Sequence, residues 1–211
     1  MKRTFLLISL LILTSSMFAQ STKSLLLNPP DTTRGLPIMK AMSLRASASE
    51  WDSTDLDLQD LSDLLWAANG INRPGSGKRT APSAHNAQDI DVYVSMRSGI
   101  YLYDAKKHLL ELVHDMDCRT LIADQQKAVA SAPVICVLVS DISRFEVGED
   151  AEKLFWAAAD AGIVSQNISI CCASLGLATR PRASMDQQKL RQILKLKDSQ
   201  HLMLNHPVSY N

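Results

Sequence analysis

Nineteen consecutive residues, 161–179, carry no charged side chain, and this stretch restricts the possible folds more than any other part of the chain. It is long enough to span a bilayer as a helix. However, Gly162, Gly176 and several small polar side chains interrupt it, and this composition is more typical of a helix buried in a core or in a contact between subunits. We therefore predict a long buried helix over about 151–177, which Gly176 ends.

The N-terminus has the pattern of a secretory signal peptide. Lys2 and Arg3 precede an apolar run from Phe5 to Leu13, and Ala19 suits a cleavage site. The apolar run itself is too short to span a bilayer. The alternative is a retained, membrane-anchored terminus. We predict a signal peptide over 1–19 and a mature protein that is exported, to the periplasm of a bacterium.

Charge and cysteine content argue against several classes of protein. The chain has 211 residues with 22 basic and 22 acidic side chains, so its formal net charge is zero, whereas bulk nucleic-acid binding requires a basic surface. Its four cysteines are too few and too unevenly spaced for a disulfide scaffold or a zinc site. The five histidines show no ligand spacing. We expect no nucleic-acid partner and no metal.

The order of shorter elements indicates an α+β fold. Strand patterns at 90–94, 99–104 and 108–113 predict a β-meander, and the continuous apolar run 134–139 is typical of a buried central strand. We also predict helices at 37–45, 55–68, 124–131 and 185–194, an irregular loop over 72–89 and a last strand at 202–204. Asp57 is the predicted N-cap of the second helix, and Gly70 its left-handed C-cap. The mature chain divides into an extended arm, 20–36, and one domain, 37–211.

Two polar clusters are candidates for a binding site. Residues 43–51 place Arg45 among several hydroxyl groups, which suits an anion such as phosphate. The alternative is an ordinary helix exit with a solvated arginine. Residues 79–88 combine small side chains, which let the backbone approach a flat ring, with the amides of Asn86 and Gln88. The alternative there is an ordinary loop, and spacing alone leaves the function open.

The first cluster resembles the phosphate-binding element of the FMN-dependent nitroreductase family. In that family an Arg-x-Ser element, often followed by Arg or Lys and then Phe, holds the flavin phosphate and ribityl chain. Arg45 and Ser47 match it, with Ala46 between them. Ser49 stands where the family often has a second cation, and Trp51 where Phe is common. The resemblance therefore implies that residues 45, 46, 47 and 49 bind the flavin.

The second cluster contains the most specific match. The family's Pro-Ser-x-x-Asn-x-Gln loop corresponds to residues 82–88, and in the family it lies against the isoalloxazine ring with the Asn side chain near N5 or O4. The resemblance implies that Asn86 supports the reaction. The residues it assigns to cofactor binding in this loop are Pro82, Ser83, Ala84, Asn86 and Gln88.

Further matches extend the resemblance over roughly 37–210. The stretch 160–177 is similar to the family's central dimer helix, and residues 64–70 look like the peptide-dehydrogenase branch. Ala183 and Ser184 correspond to positions whose backbone N–H groups reach flavin N5 and O4. Many members continue to a basic residue that binds the phosphate; since this sequence stops before it, Arg79 is a further candidate for that contact.

The resemblance implies a nitroreductase-like fold, with a central, mostly antiparallel sheet flanked by helices and a long buried dimer helix. It implies FMN as cofactor and a homodimer with the flavin at the subunit interface. The implied reaction moves hydride from a reduced donor, NAD(P)H in the family, through flavin N5 to a nitroaromatic, quinone or similar acceptor. No side chain need act as a nucleophile, because the cofactor supplies the reactivity.

The predicted export leaves the electron donor open, because NAD(P)H should be scarce outside the cytoplasm. Two other functions also remain open from the sequence. One is a flavin-binding protein without turnover, and the other is a secreted, dimeric interaction protein without a cofactor.

Overall fold

The computed structural model describes residues 24–211. The predicted signal peptide and the first four residues of the predicted arm lie outside the described residues. The described part contains a seven-stranded sheet in which every pairing is antiparallel, with the strand order β1-β6-β5-β4-β7-β9-β8. A second, two-stranded sheet is formed by β2 and β3.

The strands are β1 Ser24–Leu26, β2 Ile71–Arg73, β3 Lys78–Arg79, β4 Ile90–Met96, β5 Gly99–Asp104, β6 Leu109–His114, β7 Val134–Asp141, β8 Leu177–Thr179 and β9 Gln200–Tyr210. The helices are α1 Ile38–Leu44, α2 Leu58–Asn69, α3 Arg119–Ala123, α4 Asp150–Leu175 and α5 Gln187–Ile193. Short 3-10 turns lie at Ala84–Asn86, Lys127–Ser131 and Ile142–Arg144.

The central strand β7 is buried on both faces, which explains its continuous apolar sequence. All eight of its residues are buried, and it pairs with β4 on one side and β9 on the other. Its even-numbered residues 134–138 pack with α2 and α4, whereas its odd-numbered residues 135–139 pack with α3 and α5. Because helices cover both faces of the sheet, neither face of this strand can be polar. The predicted buried strand and the β4–β5–β6 meander are confirmed.

Helix α4 is the predicted long helix, confirmed to within two residues at each end. The side chains of Glu149 and Glu152 form a reciprocal capping box at its start, and Gly176 ends it with a φ of 73°. Its buried residues recur at spacings of three and four, from Ala157 to Cys172. Within residues 24–211, no helix combines the length and apolarity needed to cross a membrane.

The ends of α2 and the segments that follow α2 and α3 agree only in part with the sequence predictions. Asp57 caps α2 by accepting a hydrogen bond from the N–H of Asp60 at 2.7 Å, as predicted. Gly70 is not left-handed: its φ is −76°, and the chain continues directly into β2. The predicted irregular loop over 72–89 therefore contains most of a β2–β3 hairpin and a 3-10 turn. The predicted helix over 124–131 is confirmed only in part: residues 127–131 form a 3-10 helix, and Asp124, with a φ of 53°, lies between it and α3.

The last strand is much longer than predicted, since β9 runs for eleven residues rather than three. Its buried polar residues Asn205 and His206 interrupt the apolar pattern. Both are satisfied by distant partners: Asn205 Oδ1 accepts from Arg182 at 2.7 Å, and His206 Nε2 lies 2.8 Å from Ser165 Oγ. Burial lowers the pKa of His206 to about 3, so this ring is neutral.

Candidate active site

Residues 45–51 leave α1 as an exposed, extended segment. The backbone N–H of Ala48 donates to the carbonyl of Thr179 at 3.0 Å, which ties the segment to the edge strand β8. Arg45, Ser47 and Ser49 are exposed. Within residues 24–211 their side chains have neither hydrogen-bond nor ion-pair partners. The segment thus offers a guanidinium and two hydroxyl groups that can take up an anion without breaking existing interactions.

The loop 82–88 is, by contrast, strained. His85, Asn86 and Gln88 have φ values of 52°, 55° and 50°, a region that non-glycine residues rarely adopt. Such a conformation persists only where surrounding contacts impose it. The N–H of Ala84 donates to both carboxylate oxygens of Asp160 on α4, at 3.1 and 2.9 Å, and the N–H of Gln88 donates to Ser83 Oγ at 2.9 Å.

The loop leaves one amide side chain exposed to solvent. The side chain of Asn86 is exposed and has no hydrogen-bond partner among the residues that the structure describes. The ring of His85 lies 4.7 Å from that of Trp156 on α4. The loop therefore holds the Asn86 amide at a fixed place on the surface, free to contact a ligand.

A model of the nitroreductase family matches residues 43–210 of this chain, which include both clusters and the whole sheet except β1. The chain belongs to the nitroreductase family. It is 34% identical to a protein from Ralstonia eutropha JMP134, provisionally named a nitroreductase, whose crystal structure it matches over 90% of both chains with a TM-score of 0.83.

One further relative and one structure with the same fold are also similar to this chain. A Methanocaldococcus jannaschii protein, also provisionally named a nitroreductase, is 28% identical over 169 residues, which is 76% of this chain and 85% of that protein. A chain of the E. coli microcin synthetase McbBCD complex shares the fold alone, with 16% identity and a TM-score of 0.69 over 99% of this chain and 85% of that one. The predicted nitroreductase-like fold is confirmed, and the chain is a flavin-dependent oxidoreductase.

Residues 183 and 184, which the resemblance assigns to backbone contacts with the flavin, are exposed. Within the described part of the chain, their N–H groups have no partner. The preceding residue, Arg182, is fixed by a two-way backbone pairing with Asn205, with N–O distances of 2.8 and 2.7 Å. Its buried guanidinium also donates to the carbonyls of Ile122 and Ala123. Two free donors therefore stand on a rigid support.

Arg79 lies with the loop and not with the exposed segment. Its Nε donates to Gln88 Oε1 at 3.1 Å and its Nη1 to the carbonyl of Asn69 at 2.9 Å. Burial lowers the pKa of this guanidinium, although nearby Asp91 opposes that shift. Its contacts hold the loop in place, and the predicted contact with phosphate stays a prediction.

Arg180 is the residue of this region that the sequence did not reveal. Its guanidinium carbon lies 5.9 Å from the centre of the Trp51 ring, and its Nη2 donates to Gln126 Oε1 at 2.9 Å. The bond between Ala48 and Thr179 brings it to the end of the segment that contains Ser49. In the sequence, Arg180 stands out only as a cation directly before Pro181, and this position does not indicate which residues Arg180 contacts.

The loop 82–88 and the chain just before α1, which leads into the segment 45–51, are attached to different points of α4. The loop 82–88 is attached to Asp160, whereas Leu36, just before α1, exchanges hydrogen bonds with the hydroxyl of Ser174. These anchors are fourteen residues apart, which corresponds to about 21 Å along the helix axis. No hydrogen bond or ion pair among residues 24–211 joins the two clusters.

One cavity of about 330 Å³ lies beside the segment 45–51 and is lined in part by Ala46, Ala48 and Thr179. Cavities of about 490 and 730 Å³ lie beside α2 and the β2–β3 hairpin, whereas the cavity beneath the loop measures about 10 Å³. No three His, Cys, Asp or Glu side chains between Ser24 and Asn211 are placed to hold a metal ion. Burial raises the pKa of Cys118, which disfavours a reactive thiolate.

Proposed function

We propose that the protein is an FMN-dependent oxidoreductase that passes hydride from a reduced donor to a small acceptor such as a nitroaromatic compound or a quinone. The observation that carries this proposal is the set of unpartnered donors on the segment 45–51, at the positions where the family binds the flavin phosphate. A flavin without a phosphate would leave these donors unused.

The donor set fits FMN chemically. A phosphate group accepts several charge-assisted hydrogen bonds, and Arg45 with Ser47 and Ser49 offers a guanidinium and two hydroxyl groups. We propose that Arg180 supplies the second positive charge in place of the cation missing at Ser49. Its cation–π contact with Trp51, 5.9 Å from the ring centre, supports this role, because the contact places the guanidinium close to the segment.

The ring-binding part of the site is built from the backbone. The free N–H groups of Ala183 and Ser184 would donate to the N5–O4 edge of the ring, and Asn86 would add a side-chain amide. Bound FMN supplies the hydride chemistry at N5. The N–H donors favour the negative charge that reduction brings, and their rigid support keeps the cost of reorganisation low.

We propose that the active form is a homodimer in which the segment 45–51 of one subunit faces the loop 82–88 of the other. The separation of the two anchors along α4 supports this arrangement. So does α1, which buries only Ala41 and exposes Ile38, Met39 and Met42 by 57%, 74% and 52%. A helix with such an apolar exposed face is typical of a subunit contact.

We also propose a branch of the family and a cellular location for the enzyme. The similarity of residues 64–70 supports a position in the peptide-dehydrogenase-like branch, and the signal-peptide pattern supports export to the periplasm. An exported enzyme would meet little NAD(P)H. A donor screen therefore has to include quinols and small thiols beside the nicotinamides.

The test begins with a visible spectrum of the purified protein without residues 1–19, after addition of FMN and removal of free flavin. We expect retained flavin absorbance, and loss of most of it in the Arg45→Ala variant. An anaerobic screen of donors should then bleach the bound flavin. A colourless but folded protein would refute the proposal, and bound flavin that no donor reduces would indicate a binding protein without turnover.

A further inference from the structure

Two buried carboxyl groups lie beneath the loop 82–88. Asp89, at the end of the loop, is 0% exposed, and Asp160 on α4 is 3% exposed. The Asp160 carboxyl is near enough to raise the pKa of Asp89. Two buried carboxylates this close repel each other strongly and have little water to screen them, so both are not ionised together.

The hydrogen bonds around the two carboxyl groups indicate which of them carries a proton. Both oxygens of Asp160 accept from the N–H of Ala84, and Asp89 Oδ2 accepts from the hydroxyl of Ser140 at 2.5 Å. Asp89 Oδ1 is buried and has no donor among the described residues. An unpaired buried acceptor is costly. A proton on Asp89 turns it into a donor toward Asp160 and removes this cost.

We propose that Asp89 and Asp160 share one proton and that this protonated pair is the positioning element that keeps the loop 82–88 in its strained conformation. The pair holds the loop at Ala84, directly before the three residues with positive φ. The consequence for flavin binding rests on the proposed function, because it requires that the loop contacts the ring.

The surroundings of the pair do not supply another way to neutralise it. Titratable and charged groups on the neighbouring elements include His85 in the loop, Lys78 and Arg79 on β3, Asp91 and Tyr93 on β4, Asp141 on β7, Arg144 in the following turn, and His201 and His206 on β9. Arg144 is the cation that Asp89 influences, but its guanidinium is bound to Asp91 at 2.6 Å and to the carbonyl of Gln88 at 2.8 Å.

The pair should therefore respond to pH. Burial and the contact with Asp160 raise the pKa of Asp89 to about 7, against the opposing effect of the Ser140 hydroxyl. Above this pH the pair loses its proton, two negative charges repel each other, and Asp160 is pushed from Ala84. The loop should then open to water.

The decisive experiment measures hydrogen exchange at the Ala84 N–H by NMR, in the full-length mature protein without flavin. We expect the protection factor of wild type to fall about tenfold or more between pH 6 and pH 9. Asp89→Asn mimics the protonated acid, since its amide donates to Asp160 and its carbonyl accepts from Ser140. It should keep the protection factor constant over this range.

Controls separate this effect from a general change in stability. The N–H of Val137, in the fully buried strand β7, reports global unfolding, so its protection factor should follow the stability measured by urea denaturation, whereas that of Ala84 in wild type should fall well below it at pH 9. Asp104→Asn, which neutralises a carboxylate on β5, should leave the pH response of Ala84 unchanged. Should Asp89→Asn fail to fold, Asp160→Asn carries the same expectation. A wild-type protection factor independent of pH, or an unchanged response in the asparagine variants, would overturn the proposal.

A second arm connects the pair to the flavin. FMN affinity of wild type should weaken as the pH rises through neutrality, while that of Asp89→Asn should weaken far less. If the exchange at Ala84 responds but FMN affinity does not, the shared proton stands and its role toward the flavin fails. If no FMN binds at all, the proposed function fails while the exchange experiment still decides on the pair.

Discussion

The segment 45–51 and the loop 82–88 are both polar surface stretches, yet they are built in opposite ways. The segment is held by the backbone bond of Ala48, and among residues 24–211 its guanidinium and hydroxyl groups have no partners. The loop is strained at three residues and fastened to the core through Asp160 and Ser83. The first can supply charge to a ligand, and the second can supply a fixed position. Substitutions in the two should therefore change different quantities.

The largest effect should come from the buried support of the loop. The raised pKa of Asp89 means that its contribution to stability is full below pH 4 and is lost as the pH rises through about 7. Asp89→Asn does not suffer this loss, so it should be more stable than wild type by about 2–4 kcal/mol at pH 9. Urea denaturation at pH 4 and pH 9 measures the difference, and an equal difference at both would contradict the shared proton.

The next effect should come from the exposed segment. Arg45→Ala should weaken FMN binding by about 1.5–3 kcal/mol, the scale of a charged hydrogen bond, or roughly 10- to 150-fold in Kd. Reduction of the flavin in saturated enzyme should change little. Lys40→Ala removes a nearby exposed cation on α1 and is the matched control in the same titration. Unchanged affinity of Arg45→Ala would remove this residue from the phosphate site.

Asn86 should show the reverse pattern. Removal of its amide should slow flavin reduction about tenfold, which corresponds to about 1.4 kcal/mol, and should weaken FMN binding less than that. Asn86→Gly keeps the backbone freedom that a φ of 55° requires, so its comparison with Asn86→Ala separates the lost amide from added strain. Stopped-flow rates equal to wild type in both variants would show that the amide has no part in the reaction.

The smallest effect is expected at Arg180. Arg180→Ala should weaken FMN binding by about 0.5–1 kcal/mol, because this partly exposed guanidinium acts through a screened charge and a stacked ring. The loss should shrink at high salt, and Arg180→Lys should recover part of it. A titration of the three proteins at low and high salt would test this, and a loss independent of salt would point to packing on Trp51 instead.

Sequence reasoning succeeded where the determining contacts are local or periodic. The cap at Asp57, the stop at Gly176 and the two-sided burial of β7 all follow from patterns within a few residues. It failed where partners are distant. Asn205 and His206 hid most of β9, because their polar side chains are satisfied by Arg182 and Ser165 rather than by solvent.

Contacts between residues that are distant in the sequence also limited the prediction of the candidate site. The two matched motifs named the exposed donors, but not what supports them. Asp89 and Asp160 are 71 positions apart, and Arg180 reaches Trp51 only because β8 pairs with the segment at Ala48. A sequence pattern does not reveal such contacts, since they form only when α4 packs against the sheet and β8 meets the segment.

The separation of Asp160 and Ser174 along α4 also has a consequence for dimers that mix two variant subunits. When each site takes its segment from one subunit and its loop from the other, two defective subunits can rescue each other. Mixing Arg45→Ala subunits with Asn86→Gly subunits gives dimers that contain one intact site beside one with both defects. Random reassortment should then restore about a quarter of the wild-type activity, although either variant alone is impaired.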